Sequence, residues 1–351
     1  RPKVSDISGK RMSGQMENVS VFGAGSWGTA LASLLGQNGH NVTLWCRRAD
    51  QARAINVTGE NPNYLRGHPI SSNVTATNKI EEAVRSSLWV IALPTQAIRG
   101  FLTDVAQMTS VRPYICNVAK GIEIKSSSTV SGIVRDVMGD VSYSVLSGPS
   151  HAEEVIQDLP TAVVVASLNC EVAERWQAMF SRPNFRVYTS SDVMGVEIGG
   201  AVKNVIAIAA GIAKAMGLGD NALAALVSRG LAEIMRLGAK MGANPLTLAG
   251  LAGVGDLIVT CFSAHSRNLR LGLAIGKGKS MAEAISELGQ VAEGAYTVKA
   301  LKEMGRKVCE ELPIVDAVYD MLYNDLAPEE ALNTLLLRDL KPELPPAMQW
   351  M

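Results

Sequence analysis

The segment Val19-Ser-Val-Phe-Gly23-Ala-Gly25-Ser-Trp-Gly28-Thr-Ala-Leu constrains the fold more than any other part of the chain. Its GxGxxG spacing separates a β-branched apolar run from a stretch of helical periodicity that ends at Gly39, and a second strand-like run begins at Val42. Alone, that spacing is a weak signal. Between a strand and a helix its glycines acquire separate tasks: a tight turn, close approach of backbone to a pyrophosphate, and close packing of helix on strand. The N-terminus of the following helix adds unbonded N–H groups and partial positive charge, both suited to phosphate. Gly23, Gly25 and Gly28 are therefore assigned to a dinucleotide site, with a ligand-free glycine turn as the alternative.

Cofactor choice is read at the end of the second strand, where an NAD-specific site places an acid against the ribose 2′-hydroxyl. Here the chain has Leu44-Trp45-Cys46-Arg47-Arg48, with no acid before Asp50. Arg47 and Arg48 are suited to a 2′-phosphate through charge-assisted bonds. NADP(H) is expected to be accepted alongside NAD(H); solvated loop arginines are the alternative.

The rest of the chain has two rhythms. From Val19 to about Ser190, strand-like runs alternate with helical stretches, at 18–22, 42–46, 88–93, 114–118, 143–146, 162–166 and 185–188. Such alternation predicts a parallel sheet with helices on both faces. After Ser191 the strand signals stop, and Ala/Leu/Ile-rich segments follow, punctuated at Gly217–Gly219, Asn244–Pro245, Gly276–Gly278 and Pro313. The expected architecture is α/β: a Rossmann-type doubly wound parallel sheet over 18–190, then an all-α C-terminal domain over 191–340. Residues 1–17 are expected to be a disordered extension and 341–351 a flexible tail.

Composition narrows the function classes. The 351 residues carry 33 Lys+Arg against 33 Asp+Glu, so no whole face is available for nucleic acid or an anionic bilayer. Five cysteines without a CxxC pair support neither a zinc ribbon nor a dithiol site. They read as free, buried thiols of a cytoplasmic protein, with organelle targeting by the N-terminal extension left open. The histidines are too dispersed for a metal cluster, and no metal is expected. Ile198–Gly219 is long and apolar but interrupted by Lys203 and Lys214, which reads as a buried helix rather than a membrane span. Gly276-Lys-Gly278-Lys279-Ser280 lacks the earlier glycine and strand of a phosphate loop, and Ser150-His151 lacks a nucleophile elbow.

The helical half holds the more specific chemistry. Gly199-Gly-Ala-Val-Lys203-Asn204-Val-Ile-Ala is apolar on every side apart from one lysine and one amide. A buried ammonium must be paired, or its pKa falls by desolvation. Either outcome suits proton transfer at a carbonyl/hydroxyl pair. The paired glycines allow close approach of another element. Farther on, residues 257–282 hold Arg267, Arg270, Lys277 and Lys279 and no acid, a local positive patch. Arg267 between Ser266 and Asn268 is suited to a phosphate dianion, while Arg270, Lys277 and Lys279 are read as solvated.

Together, Gly23-Ala-Gly-Ser-Trp-Gly-Thr-Ala30, Asn117-Val-Ala-Lys120-Gly-Ile-Glu123, Ser147-Gly148-Pro-Ser150, Gly199-Gly-Ala-Val-Lys203-Asn204-Val205, Gly253-Val-Gly-Asp256 and His265-Ser-Arg-Asn268 resemble the NAD(P)-dependent glycerol-3-phosphate dehydrogenase family of bacterial type. The likeness runs in order from about Val19 to Leu337. It implies reduction of dihydroxyacetone phosphate, a small three-carbon phosphate, to sn-glycerol 3-phosphate with NADPH or NADH, supplying phospholipid synthesis. It further implies a catalytic set of Lys203, Lys120 and Asp256, with Lys203 exchanging the proton and Lys120 touching substrate and nicotinamide. Gly148, Ser150, Asn204, Thr260, Ser266, Arg267 and Asn268 complete the substrate site, Arg267 and Asn268 holding the phosphate. Ser26, Trp27, Arg47, Ala152, Val291 and Glu293 belong to the cofactor, which Arg267 also meets. A homodimer is left open, with no interface specified. Leu223 departs from the pattern, standing where the family often has a lysine, away from this chemistry.

Overall fold

The computed structural model describes residues 16–289, 291–340 and 342–343. Short apolar runs form β1 (Asn18–Phe22), β2 (Asn41–Trp45), β3 (Val74–Thr77), β4 (Leu88–Ile91), β5 (Tyr114–Asn117), β6 (Ser142–Ser147), β7 (Thr161–Ala166) and β8 (Phe185–Ser190). They make one sheet in the order β3-β2-β1-β4-β5-β6-β7-β8, so the chain reverses direction across the sheet after β3. That switch point is where a doubly wound sheet opens a crevice at the carboxyl ends of its strands.

Two features of the sheet were not legible in the sequence. β3, Val74-Thr-Ala-Thr, is short and half polar; its pairing with β2 (Val42↔Val74 to Trp45↔Thr77), at the sheet's outer edge, makes it a strand. The other departure is β7, which pairs antiparallel with β6 and parallel with its other neighbour, β8. The link from β6 to β7 holds only a one-turn helix, Ala152–Val155, too short to serve as a parallel crossover.

Side chains of β1 alternate between faces. Val19 and Val21 join a core with Leu31, Leu35 and Trp176, whereas Phe22 joins Trp89, Ile91, Ile98 and Leu102 on the other side. The helical half is built on Val193–Ala215, whose most apolar window is wholly buried in protein. Its length and hydropathy meet the criterion for crossing a membrane, as do those of Pro245–Phe262, and the surrounding helices satisfy its apolar surface instead. Asp220–Lys240, Asp256–Phe262, Arg267–Gly276 and Glu293–Lys307 pack around it. The breaks sit at the expected punctuation: Asn244 caps one helix, Ser280 opens another with a capping box, and Pro313 starts a third.

Cys46, Cys116 and Cys261 are buried free thiols, but Cys170 and Cys309 are exposed, which corrects the expectation that all are interior. Glu17 accepts a backbone bond from Asn41 and pairs with Arg175 at 2.9 Å, so order extends at least one residue before β1. Residues 1–15 of the expected extension, and 341 and 344–351 of the expected tail, lie outside the described residues.

Candidate active site

The glycine turn after β1 has two tight positions and one open one. Gly23 adopts φ +115°, and a Cβ there would meet the Ala92 carbonyl oxygen at 2.5 Å. A Cβ on Gly28 would lie 1.9 Å from the Gly23 carbonyl oxygen. At Gly25 a Cβ would meet nothing within 4 Å among the described residues. The helix Ser26–Gln37 starts there with no side-chain cap among the described residues, which leaves its first N–H groups available to a ligand. The cradle therefore fits a dinucleotide phosphate: folding needs two of the glycines, and the third keeps a surface clear. Ser26 is buried, and Trp27 is half-buried against the sheet core. Arg47 and Arg48 lie exposed beyond β2. Arg48 is partly engaged by Asp50 at 3.7 Å, while Arg47 has no ion pair among the described residues.

Lys203 lies midway along the buried helix and is 5% exposed. Its Nζ donates to Asp256 Oδ1 at 2.5 Å and to Thr260 Oγ1 at 2.6 Å. The other Asp256 oxygen accepts from Lys120 Nζ at 2.7 Å, and Lys120 also donates to the Gly148 carbonyl at 2.9 Å. One carboxylate thus joins two ammoniums from opposite halves of the chain. Burial lowers the Lys203 pKa to about 8, with Asp256 opposing that fall and Lys120 adding to it. For Asp256, burial alone would raise the pKa, but Lys120 and Lys203 together hold the carboxyl below its usual range.

Gly199 and Gly200 make this meeting possible. A Cβ on Gly199 would lie 2.6 Å from the Ala252 carbonyl oxygen, in the π-helical turn Leu251–Gly255 that leads into Asp256. A Cβ on Gly200 would lie 2.8 Å from Ser147 Oγ at the end of β6. Ser147, which sequence reasoning did not select, reaches to 3.5 Å from Asp256 Oδ2. Its alternation along β6 gave no hint of that contact.

The amides near Lys203 are engaged within the protein. Asn204 donates to the Lys120 carbonyl at 3.2 Å and accepts from Asn268 at 2.9 Å; Asn268 in turn accepts from Gly294 N at 3.0 Å. Asn268 follows Arg267 at the start of the Arg267–Gly276 helix, with one of its two amide N–H groups given to Asn204. Ser266 is buried and caps the Arg267–Gly276 helix by accepting from Leu269 N. Arg267 donates to the Val291 carbonyl at 3.1 Å, which brings those two residues together. Ser150 donates to the Gly148 carbonyl at 2.9 Å, the same oxygen that Lys120 uses, and Ala152 is buried at the start of the next helical turn.

Glu293 opens the Glu293–Lys307 helix and reaches across to accept from Thr95 N at 3.3 Å. Its other oxygen and Thr95 Oγ1 are buried without partners among the described residues, close to Gly121. Burial raises the Glu293 pKa to about 7, with the Thr95 N–H and Arg267 opposing. Thr95 is a second residue that sequence reasoning missed; its only local signal was a helix start after Pro94.

Residues 18–173 match the family model described as the NAD-dependent glycerol-3-phosphate dehydrogenase N-terminus, and residues 192–333 match that of the C-terminus. The chain is 48% identical over 333 residues to an NAD(P)+-dependent glycerol-3-phosphate dehydrogenase of Geobacillus kaustophilus, covering 94% of this chain and 97% of the relative. Among solved structures, a glycerol-3-phosphate dehydrogenase from Coxiella burnetii aligns with a TM-score of 0.89 and 37% identity, covering 92% of this chain and 99% of that one. A ketopantoate reductase from Ralstonia eutropha, at a TM-score of 0.57 and 14% identity over 90% of this chain and 99% of that one, shares the fold alone. The two halves of the chain match the two halves of one enzyme over nearly the full length of a bacterial relative, and the chain belongs to the NAD(P)-dependent glycerol-3-phosphate dehydrogenases, oxidoreductases that use NAD or NADP.

Proposed function

We propose that the chain reduces dihydroxyacetone phosphate to sn-glycerol 3-phosphate, reversibly, with Lys203 as proton donor for reduction and acceptor for oxidation. The observation that carries this reading is the Lys203–Asp256–Lys120 cluster, two ammoniums held by one buried carboxylate where the halves of the chain meet. NADH or NADPH, when bound, supplies the hydride. The chain's own residues must then place the ketone, offset the charge that develops on its oxygen, and deliver one proton.

Lys203 suits the proton step because its pKa of about 8 leaves both protonation states accessible near neutrality. Asp256 and Thr260 fix its Nζ, so no reorganisation is needed as charge develops. Lys120, on the other oxygen of Asp256, adds a second positive charge to the alkoxide side. Gly148 and Ser150 line the substrate beside Lys120, and Asn204 and Asn268 hold the backbones around it in register. Arg267, with Ser266 at the same helix start, takes the phosphate, and binding there orients the remote carbonyl. Gly23, Gly25, Gly28, Ser26 and Trp27 receive the dinucleotide, with Arg47 and Arg48 near a 2′-phosphate and Ala152, Val291 and Glu293 toward the nicotinamide end. Buried free thiols and the bacterial relatives support a cytoplasmic enzyme that supplies glycerophospholipid synthesis.

A test is NADH oxidation with dihydroxyacetone phosphate beside unphosphorylated dihydroxyacetone. Strong preference for the phosphate is expected; equal turnover of the two would remove the phosphate site from this reading.

A further inference from the structure

His151 stands between Ser150 and Ala152 as the N-cap residue of the short Ala152–Val155 turn. Its ring lies against that of His265, with centroids 5.7 Å apart and planes tilted by 54°. His265 is exposed and immediately precedes Ser266, Arg267 and Asn268. The two imidazoles therefore join the loop after β6 to the start of the Arg267–Gly276 helix, across the two halves of the chain. Nε2 of His151 is buried and has no hydrogen-bond partner among the described residues. Buried polar atoms nearly always have one, so an orphan beside an active site calls for a reason.

Burial first, and the Lys203 ammonium next, keep the His151 imidazole below its usual pKa, despite Glu153 and Glu154 pulling the other way. A neutral imidazole has one N–H to give. A phosphate dianion offers only acceptor oxygens and needs several donors at once. Asn268 gives one of its two amide N–H groups to Asn204 and Ser150 gives its hydroxyl to Gly148, whereas Arg267 uses one of its five donors on Val291.

We propose that His151 Nε2 donates a hydrogen bond to the substrate phosphate opposite Arg267. His151 is thereby a specificity-determining residue for phosphorylated substrates. The assignment rests on the reading of this cleft as the dihydroxyacetone phosphate site.

His151→Phe keeps a ring of similar size and removes the donor, while His151→Gln retains an N–H at a similar reach. We expect the phenylalanine variant to raise KM for dihydroxyacetone phosphate about tenfold, the scale of one hydrogen bond to a charged group. Its KM for NADH should be unchanged, and its preference for dihydroxyacetone phosphate over dihydroxyacetone should fall by a similar factor. The glutamine variant should recover most of the loss. An unchanged KM in His151→Phe overturns the proposal, and so does an effect confined to NADH, which would assign the imidazole to the cofactor's phosphates. Arg267→Ala separates the two levels of the argument. If it raises KM while His151→Phe does not, only the His151 role fails; if neither responds, the phosphate site itself is misplaced. Histidine 15N NMR of the wild-type protein needs no variant to fold: adding glycerol 3-phosphate should shift the His151 Nε2–H signal, and a signal that stays in place contradicts the contact.

Discussion

The two halves of the molecule prepare for a ligand in opposite ways. In the sheet half, the cradle is backbone: an uncapped helix start, two glycines packed to contact and one left open at Gly25. Where the helical half meets it, the site is made of side chains, with Lys203 and Asp256 from the helices joined to Lys120 from the sheet half. A backbone site depends on conformation and clearance, so its determinants are local in sequence. A side-chain cluster depends on whether remote elements can approach, which here turns on Gly199 and Gly200. Substitutions should therefore separate the halves: chemistry should be lost in one and cofactor affinity in the other.

The largest effect is expected at Lys203. Lys203→Ala should lower kcat by at least ~100-fold, the usual scale for losing a positioned acid–base group. Steady-state kinetics with saturating dihydroxyacetone phosphate would show it, and a near-normal kcat would remove the proposed proton role. Next is Gly25→Ala. Because a Cβ there meets nothing within 4 Å among the described residues, the thermal midpoint should hold, while KM for NADH rises about tenfold from overpacking against the pyrophosphate. If the midpoint drops and KM does not move, Gly25 serves the fold and the contrast between the halves weakens. The smallest effect is expected at Arg47, which is exposed and screened by solvent. Arg47→Asp should lower the NADPH-to-NADH ratio of kcat/KM by about fivefold. No change in that ratio would return Arg47 to an ordinary surface role.

The same contrast explains what was legible in the sequence. The glycine turn, the switch from strands to helices near Ser190, and the burial of the helix carrying Lys203 all follow from local spacing and periodicity. β3 escaped because its four residues are half polar and gain strand character only from β2. The antiparallel return of β7 depends on how little helix separates it from β6. At the site, Lys203 stands out as a charge in an apolar helix, whereas Asp256, Lys120 and Thr260 enter only through the family resemblance. Asp256 lies 53 residues away and Lys120 lies 83 away, counted in the sequence. Their convergence needs the Leu251–Gly255 turn against Gly199, which no periodicity encodes. Ser147 and Thr95 were missed for the same reason. The contacts of Asn268 with Asn204 and Gly294 likewise follow from the packing of three helices and not from its neighbours in sequence.

The most direct test of Lys203 as the shared proton donor and acceptor is the pH dependence of kcat/KM in both directions on the same enzyme. Reduction requires the ammonium, so its rate should hold below about pH 8 and fall as pH rises through it. Oxidation requires the neutral amine, so its rate should rise through the same pH and level off above it. Both limbs should vanish from the residual activity of Lys203→Ala. Limbs that persist in that variant, or profiles that run the same way in both directions, would contradict the assignment.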